Sequence, residues 1–140
     1  MAKEKLKIAF YWAASCGGCE VAVLDVNEKI LDVVAAADIV FWPVAIDIKY
    51  KDVEAMPDKS IDACFFNGAI RTEENEKMAK LLRQKSKILV AFGSCANDGC
   101  VKGLANLWEK DDVFERAYLE TQSTVNPDSV TPQTCVKVKE

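Results

Sequence analysis

Histidine is absent from the 140-residue chain, which removes the commonest zinc and copper ligand and the commonest general base. Imidazole-based hydrolytic triads are poor candidates for that reason. Positive charge is not in excess either: 18 Lys and Arg face 22 Asp and Glu, for a net charge of −4. Such a chain has no broad cationic field to collect DNA, RNA or anionic lipid, so no nucleic-acid partner is expected. No apolar run reaches the roughly eighteen residues of a membrane span. The charged start is followed by an apolar stretch that stops at Ser15 without a clean cleavage site, so a secretory leader is not expected and a cytoplasmic location is. There is no GxGxxG fingerprint, and hence no sign of a dinucleotide site.

What remains is a globular composition, 50% hydrophobic and 29% charged, at a length that suits one domain. Residues 6–12 (LKIAFYW) are apolar and aromatic without helical spacing, as in a strand buried on both faces. Over 20–34, Val21, Leu24, Leu31 and Val34 fall near one face, predicting one amphipathic helix with that face turned inward. Residues 37–44 read as a second strand ending at Pro43, 52–60 as a connection, and 61–67 (IDACFFN) as a third strand. Thr72 is placed to cap a helix whose first turn carries Glu73, Glu74 and Glu76 and whose end carries Arg83 and Lys85. KILVAF (87–92) then makes a fourth strand.

This alternation predicts an α/β, flavodoxin-like three-layer domain with a mainly parallel sheet of about four strands. Residues 1–140 are read as a single domain, with 104–140 as an irregular extension holding one or two short helices.

Six cysteines in a cytosolic chain point to metal or redox chemistry before disulfides. Cys16 and Cys19 follow the first strand and Cys95 the fourth, at the strand ends where ligands bind in open α/β sheets. In Cys16-Gly17-Gly18-Cys19 the glycines let backbone N–H groups approach the sulfurs. The helix start that follows favours thiolates, with Glu20 opposing slightly. By itself a CxxC pair fits zinc or a thioredoxin-like disulfide as well as a cluster.

The segments SCGGCEVAVLDV and VAFGSCANDGC resemble the hydrogenase small-subunit family, which also includes the cluster-bearing subunit of respiratory complex I. The likeness is greatest to small subunits of methanogen-type, viologen-reducing [NiFe] hydrogenases. It extends through FFNGAIRTEENEKMAKLLRQKSKILVAFGSCA, GLANLW and PDSVTPQT. The resemblance implies a [4Fe–4S] cluster on Cys16, Cys19 and Cys95 as cofactor and metal ligands. It also implies electron transfer from H2 oxidation, action only together with a [NiFe] large subunit, and a downstream acceptor such as heterodisulfide reductase. In the family a fourth ligand lies in a later PGCPP motif, which has no counterpart in this sequence, so a chain lacking the C-terminal part is expected. Cys135 and Cys100 are the alternatives for the fourth corner.

Cys64, inside an apolar strand, reads as core. Trp12, Trp42 and Trp108 read as packing residues rather than electron relays. Glu20 reads as a first-turn acid or, by the resemblance, a proton carrier. Two other functions stay open: a zinc or thiol-redox module, and an assembly subunit without a complete cluster.

Overall fold

The computed structural model describes residues 5–139. Strand β1 (Leu6–Trp12) leads through a cysteine loop to helix α1 (Gly18–Leu24), a 3-10 turn (Asn27–Lys29) and helix α2 (Ile30–Ala36). Strand β2 (Ala37–Phe41), helix α3 (Tyr50–Ala55), strand β3 (Ile61–Asn67) and the short strand β4 (Ile70–Thr72) follow. Next come helix α4 (Glu73–Lys85), strand β5 (Ser86–Phe92) and two short helical turns, α5 (Ser94–Asn97) and α6 (Cys100–Gly103). After a 3-10 turn (Leu104–Leu107), helix α7 (Lys110–Phe114) and a π turn (Glu115–Leu119), the last element is strand β6 (Cys135–Lys139).

Four strands form one parallel sheet in the order β2-β1-β3-β5. This is the flavodoxin-like order, with the topological switch between β1 and β3. One sheet face presents Ala9, Tyr11, Phe41, Cys64 and Phe66 to Val53 of α3 and to Met78 and Leu82 of α4. Each large side chain buried there contributes about 1.5–3 kcal/mol. On the other face Phe10 lies between Trp42 and Phe65, with ring centroids 4.5 and 5.1 Å away.

Local chemistry explains where the elements begin. At the head of α4 the Asn75 N–H donates to Thr72 Oγ1 at 3.2 Å, and the Thr72 N–H donates back to Asn75 Oδ1 at 3.3 Å. That reciprocal cap satisfies donors the helix itself leaves unpaired. After β2, Trp42 C=O accepts from the N–H groups of both Ala45 and Ile46, turning the chain at Pro43.

Three sequence expectations give way. The predicted helix over 20–34 is interrupted where Asn27 takes a left-handed backbone (φ 53°). Its supposed inward residues Val21, Leu24, Leu31 and Val34 are exposed, because periodicity reveals a shared face but not whether anything covers it. The 52–60 connection begins inside α3, which is too short for a period to register and buries only Val53. β6 pairs antiparallel with β4, matching Thr72 to Cys135, within the stretch that showed no pattern. No helix among the described residues is long and apolar enough to cross a membrane.

Candidate iron–sulfur site

The loop after β1 is tied to the end of β3. Ala13 N–H donates to Asn67 C=O at 2.7 Å, and Ala14 and Ala69 exchange two backbone bonds of 3.0 Å. Fixed in this way, the loop carries Cys16 and Cys19 beyond the carboxyl edge of the sheet. Gly17 (φ 83°) starts α1, while its N–H donates to Ser15 Oγ at 3.1 Å. Gly18 N–H points at Cys16 Sγ from 3.4 Å, an approach that steadies a thiolate. The Trp12 ring lies over Gly17, where an added Cβ would sit 2.6 Å from it.

The loop after β5 comes to meet the first. Gly93 leaves the strand with φ 84°, and a Cβ there would fall 2.4 Å from Cys19 Sγ, so only a glycine admits the thiol at this position. Gly93 C=O then accepts from Ala96 and Asn97, making the turn that bears Cys95. Burial pushes the Cys95 thiol up, while the neighbouring Lys102 ammonium opposes this, its Nζ 4.0 Å from Cys95 Sγ. Cys16 and Cys100 act on the same sulfur. The Ser94 hydroxyl and the Val101 backbone N–H hold Cys100 below the usual thiol range.

The three cysteines singled out from sequence therefore come from two loops that meet over the end of β3. Among the described residues no three Cys, Asp or Glu side chains close on a point that would hold one metal ion. A single zinc needs sulfurs roughly 2.3 Å from one centre. Three thiols on two loops that turn at the positive-φ glycines Gly17 and Gly93 are, by their chemistry, a donor set of the kind that holds an iron–sulfur cluster.

The remaining cysteines are placed differently. Cys64 is buried in the α4-side core, where desolvation pushes its thiol up to about 12. Cys135, on β6, lines a cleft with Arg71, Lys102, Trp108 and Phe114.

Glu20 differs from a solvated first-turn acid. It is 1% exposed, takes the Trp42 indole N–H, and lies 3.4 Å from the Asn67 amide nitrogen. Trp42 is core, as a packing residue should be, whereas Trp12 and Trp108 are 41% and 58% exposed. Sequence reasoning passed over Asn67, Gly93 and Lys102. Of these only Gly93 carried a local signal, a glycine between a strand end and Ser94-Cys95.

Residues 16–136 match the family described as NADH ubiquinone oxidoreductase, 20 Kd subunit. The chain is 49% identical over 129 residues to the iron-sulfur subunit of the F420-non-reducing hydrogenase of Archaeoglobus profundus, covering 91% of this chain and 40% of that protein. It is 40% identical over 129 residues to the corresponding F420-non-reducing hydrogenase subunit of Methanothermobacter thermautotrophicus, covering 92% of this chain and 40% of that one. The chain thus spans about 40% of the length of these relatives. The fold is similar to a chain in the crystal structure of an NAD+-reducing [NiFe]-hydrogenase in the H2-reduced state, with a TM-score of 0.82 at 21% identity, over 97% of this chain and 75% of that chain.

Proposed function

Because the chain belongs to the family of the 20 Kd subunit of NADH ubiquinone oxidoreductase, we propose that it is an electron-transfer subunit of the hydrogenase small-subunit kind, holding a [4Fe–4S] cluster on Cys16, Cys19 and Cys95. The observation that carries this reading is the meeting of the two cysteine loops, with Cys19 seated against Gly93 and Cys16 within electrostatic reach of Cys95. The Archaeoglobus relative is itself named an iron-sulfur subunit.

When bound, such a cluster supplies one-electron transfer. The protein's own part is to hold, orient and screen. Gly18 N–H steadies the Cys16 sulfur and Lys102 offsets negative charge at Cys95. The Trp12 ring closes over the loop at Gly17. Exposed Trp12, Val21 and Val101 give the surroundings of the cysteine loops an apolar surface of the sort that docks a partner subunit. The partner in this proposal is a [NiFe] hydrogenase large subunit, with a further redox protein such as heterodisulfide reductase as acceptor. Residues 1–140 act in it as one electron-transfer domain in the cytoplasm.

Anaerobic reconstitution with iron and sulfide, followed by metal analysis and low-temperature paramagnetic resonance, tests the proposal. Iron with acid-labile sulfide is expected. Cys16→Ala, Cys19→Ala and Cys95→Ala should each abolish the signal and Cys64→Ala should preserve it. Stoichiometric zinc without sulfide, or a cluster retained in Cys95→Ala, would refute the assignment.

A further inference from the structure

A cleft of about 370 Å³ lies between the β4–β6 strand pair and the segment running from α6 to the π turn, a size within the range of small-molecule sites. Arg71, Lys102, Lys110 and Lys137 line it, and no Asp or Glu does. Among the described residues none of these four cations has a carboxylate within ion-pair distance. In a chain whose net charge is −4, this is a local concentration of positive charge left without a counter-ion. We propose that the cleft binds a nucleotide, its phosphates on the cations and its base on the aromatic rings beside them.

The strand pairing brings two of the cations together. Ile70 is matched to Lys139 and Thr72 to Cys135, with an irregularity between them. Arg71 and Lys137 therefore lie on facing strands within that interval, and both line the cleft. Like charges across a strand pair weaken it, and an anion between them removes the repulsion. The neighbouring cation on β6 is treated differently: Lys139 has Glu76 at 3.3 Å. Phosphate suits both members of the facing pair, since the arginine fork takes two of its oxygens and the lysine adds a point charge.

The rings favour a nucleotide over an acidic peptide, which would engage the cations alone. Trp108 lines the cleft while remaining 58% exposed. Phe114 and Tyr118 line it as an edge-to-face pair with centroids 5.9 Å apart. Nucleobases stack on such side chains whatever their identity, so the rings point to the class of ligand and not to one base. The wall is firm, because Asn106 Nδ2 donates to Val138 C=O at 2.7 Å and Asn106 Oδ1 accepts from Val138 N–H at 3.1 Å. Side chains do the recognition here, so no glycine-rich phosphate loop is needed. Lys102 links the cleft to the cysteine loops, its Nζ lying 4.0 Å from Cys95 Sγ, but failure of the cluster reading would leave this site untouched.

The test titrates the full chain with ADP, adenosine, pyrophosphate and a polyglutamate peptide by calorimetry. ADP should bind saturably, with adenosine weaker by about tenfold or more. Cys135 lines the same cleft and reports occupancy. Saturating ADP should slow its alkylation several-fold while leaving exposed Cys16 unchanged. Arg71→Gln and Lys137→Gln change exposed positions and leave the fold intact, and each should weaken ADP by about tenfold or more. Lys51→Gln, which removes an exposed cation outside the cleft, should bind as wild type does. Trp108→Ala should weaken ADP and spare pyrophosphate. No saturable ADP binding, or an affinity that Lys137→Gln leaves unchanged, would overturn the site. Equal losses in Lys51→Gln and Lys137→Gln would reduce it to diffuse attraction and overturn it as well. Polyglutamate binding more tightly than ADP would overturn the nucleotide assignment in favour of an acidic peptide.

Discussion

Gly93 and Cys19 belong to loops 74 positions apart in the chain, yet they touch so closely that a Cβ on the glycine would lie 2.4 Å from the cysteine sulfur. The end of β5 is therefore shaped around a thiol that β1 delivers.

Gly93→Ala must move one of the two loops. Its φ of 84° also sets an L side chain in an unfavourable region, at a cost of roughly 1–3 kcal/mol. We expect lowered thermal stability and loss of reconstituted iron–sulfur absorbance. Gly103→Ala serves as the control, since its Cβ would meet nothing nearer than 3.7 Å. It should retain the absorbance and gain up to about 1 kcal/mol.

Cys64 should be chemically silent in the folded chain. Its thiol is pushed up to about 12 by burial, so at pH 8 its thiolate fraction is on the order of 10³ lower than that of an ordinary thiol. Alkylation of the metal-free protein, followed residue by residue, should modify exposed Cys16 and Cys100 first and Cys64 only on unfolding. The same shift makes stability fall in alkali. The folded state binds the proton more tightly, so this contribution is whole below the ordinary thiol value and disappears as pH rises toward about 12. Rapid labelling of Cys64 in native buffer would contradict the core placement.

Acid should weaken the protein through three surface carboxylates. Asp58 is held below its ordinary value by Gln84 and Lys85, Asp62 by Lys87 and the Lys7 backbone N–H, and Glu76 by Lys80 and Lys139. Each binds its proton less tightly when folded. The stabilisation is therefore complete above the unfolded value of about 4 and is lost as pH falls through the lower folded values. Urea midpoints should stay level from pH 7 to 5 and drop below about 4. Asp62→Asn should flatten that drop.

What the sequence made legible follows from how each signal is encoded. β1 and β3 appear at their observed bounds because an apolar, aromatic run is a local property, and α4 appears because Thr72 and its acids mark its start. The loops bearing Cys16, Cys19 and Cys95 could be placed beyond strand ends for the same reason. Other features depend on what lies across the fold. Asn27 breaks the 20–34 helix through its backbone conformation. β6 needs β4 as a partner before its residues form any pattern. The nearness of Gly93 to Cys19 exists only after the two loops meet. Glu20 is the sharpest case, because its place in the first turn of α1 suits a solvated acid and only the position of Trp42 reveals it as interior.

That interior contact supports the last prediction. Glu20 and Trp42 are 22 residues apart and meet behind the cysteine loop, with Asn67 as the other partner and its Oδ1 buried without one. A buried carboxylate that loses a donor keeps its desolvation cost, so Trp42→Phe should destabilise by about 1–3 kcal/mol for the lost hydrogen bond alone. Glu20→Gln keeps the shape and removes the charge, and should cost less in the Trp42→Phe background than in wild type. Replacing both partners by apolar residues, Glu20→Met with Trp42→Phe, leaves no unpaired charge and should be milder than the sum of the single changes. A double-mutant cycle in urea measures this directly. Coupling of about 0.5–3 kcal/mol between the two positions is expected. Additive effects would mean that Glu20 and Trp42 do not depend on each other, and that the carboxylate is satisfied elsewhere.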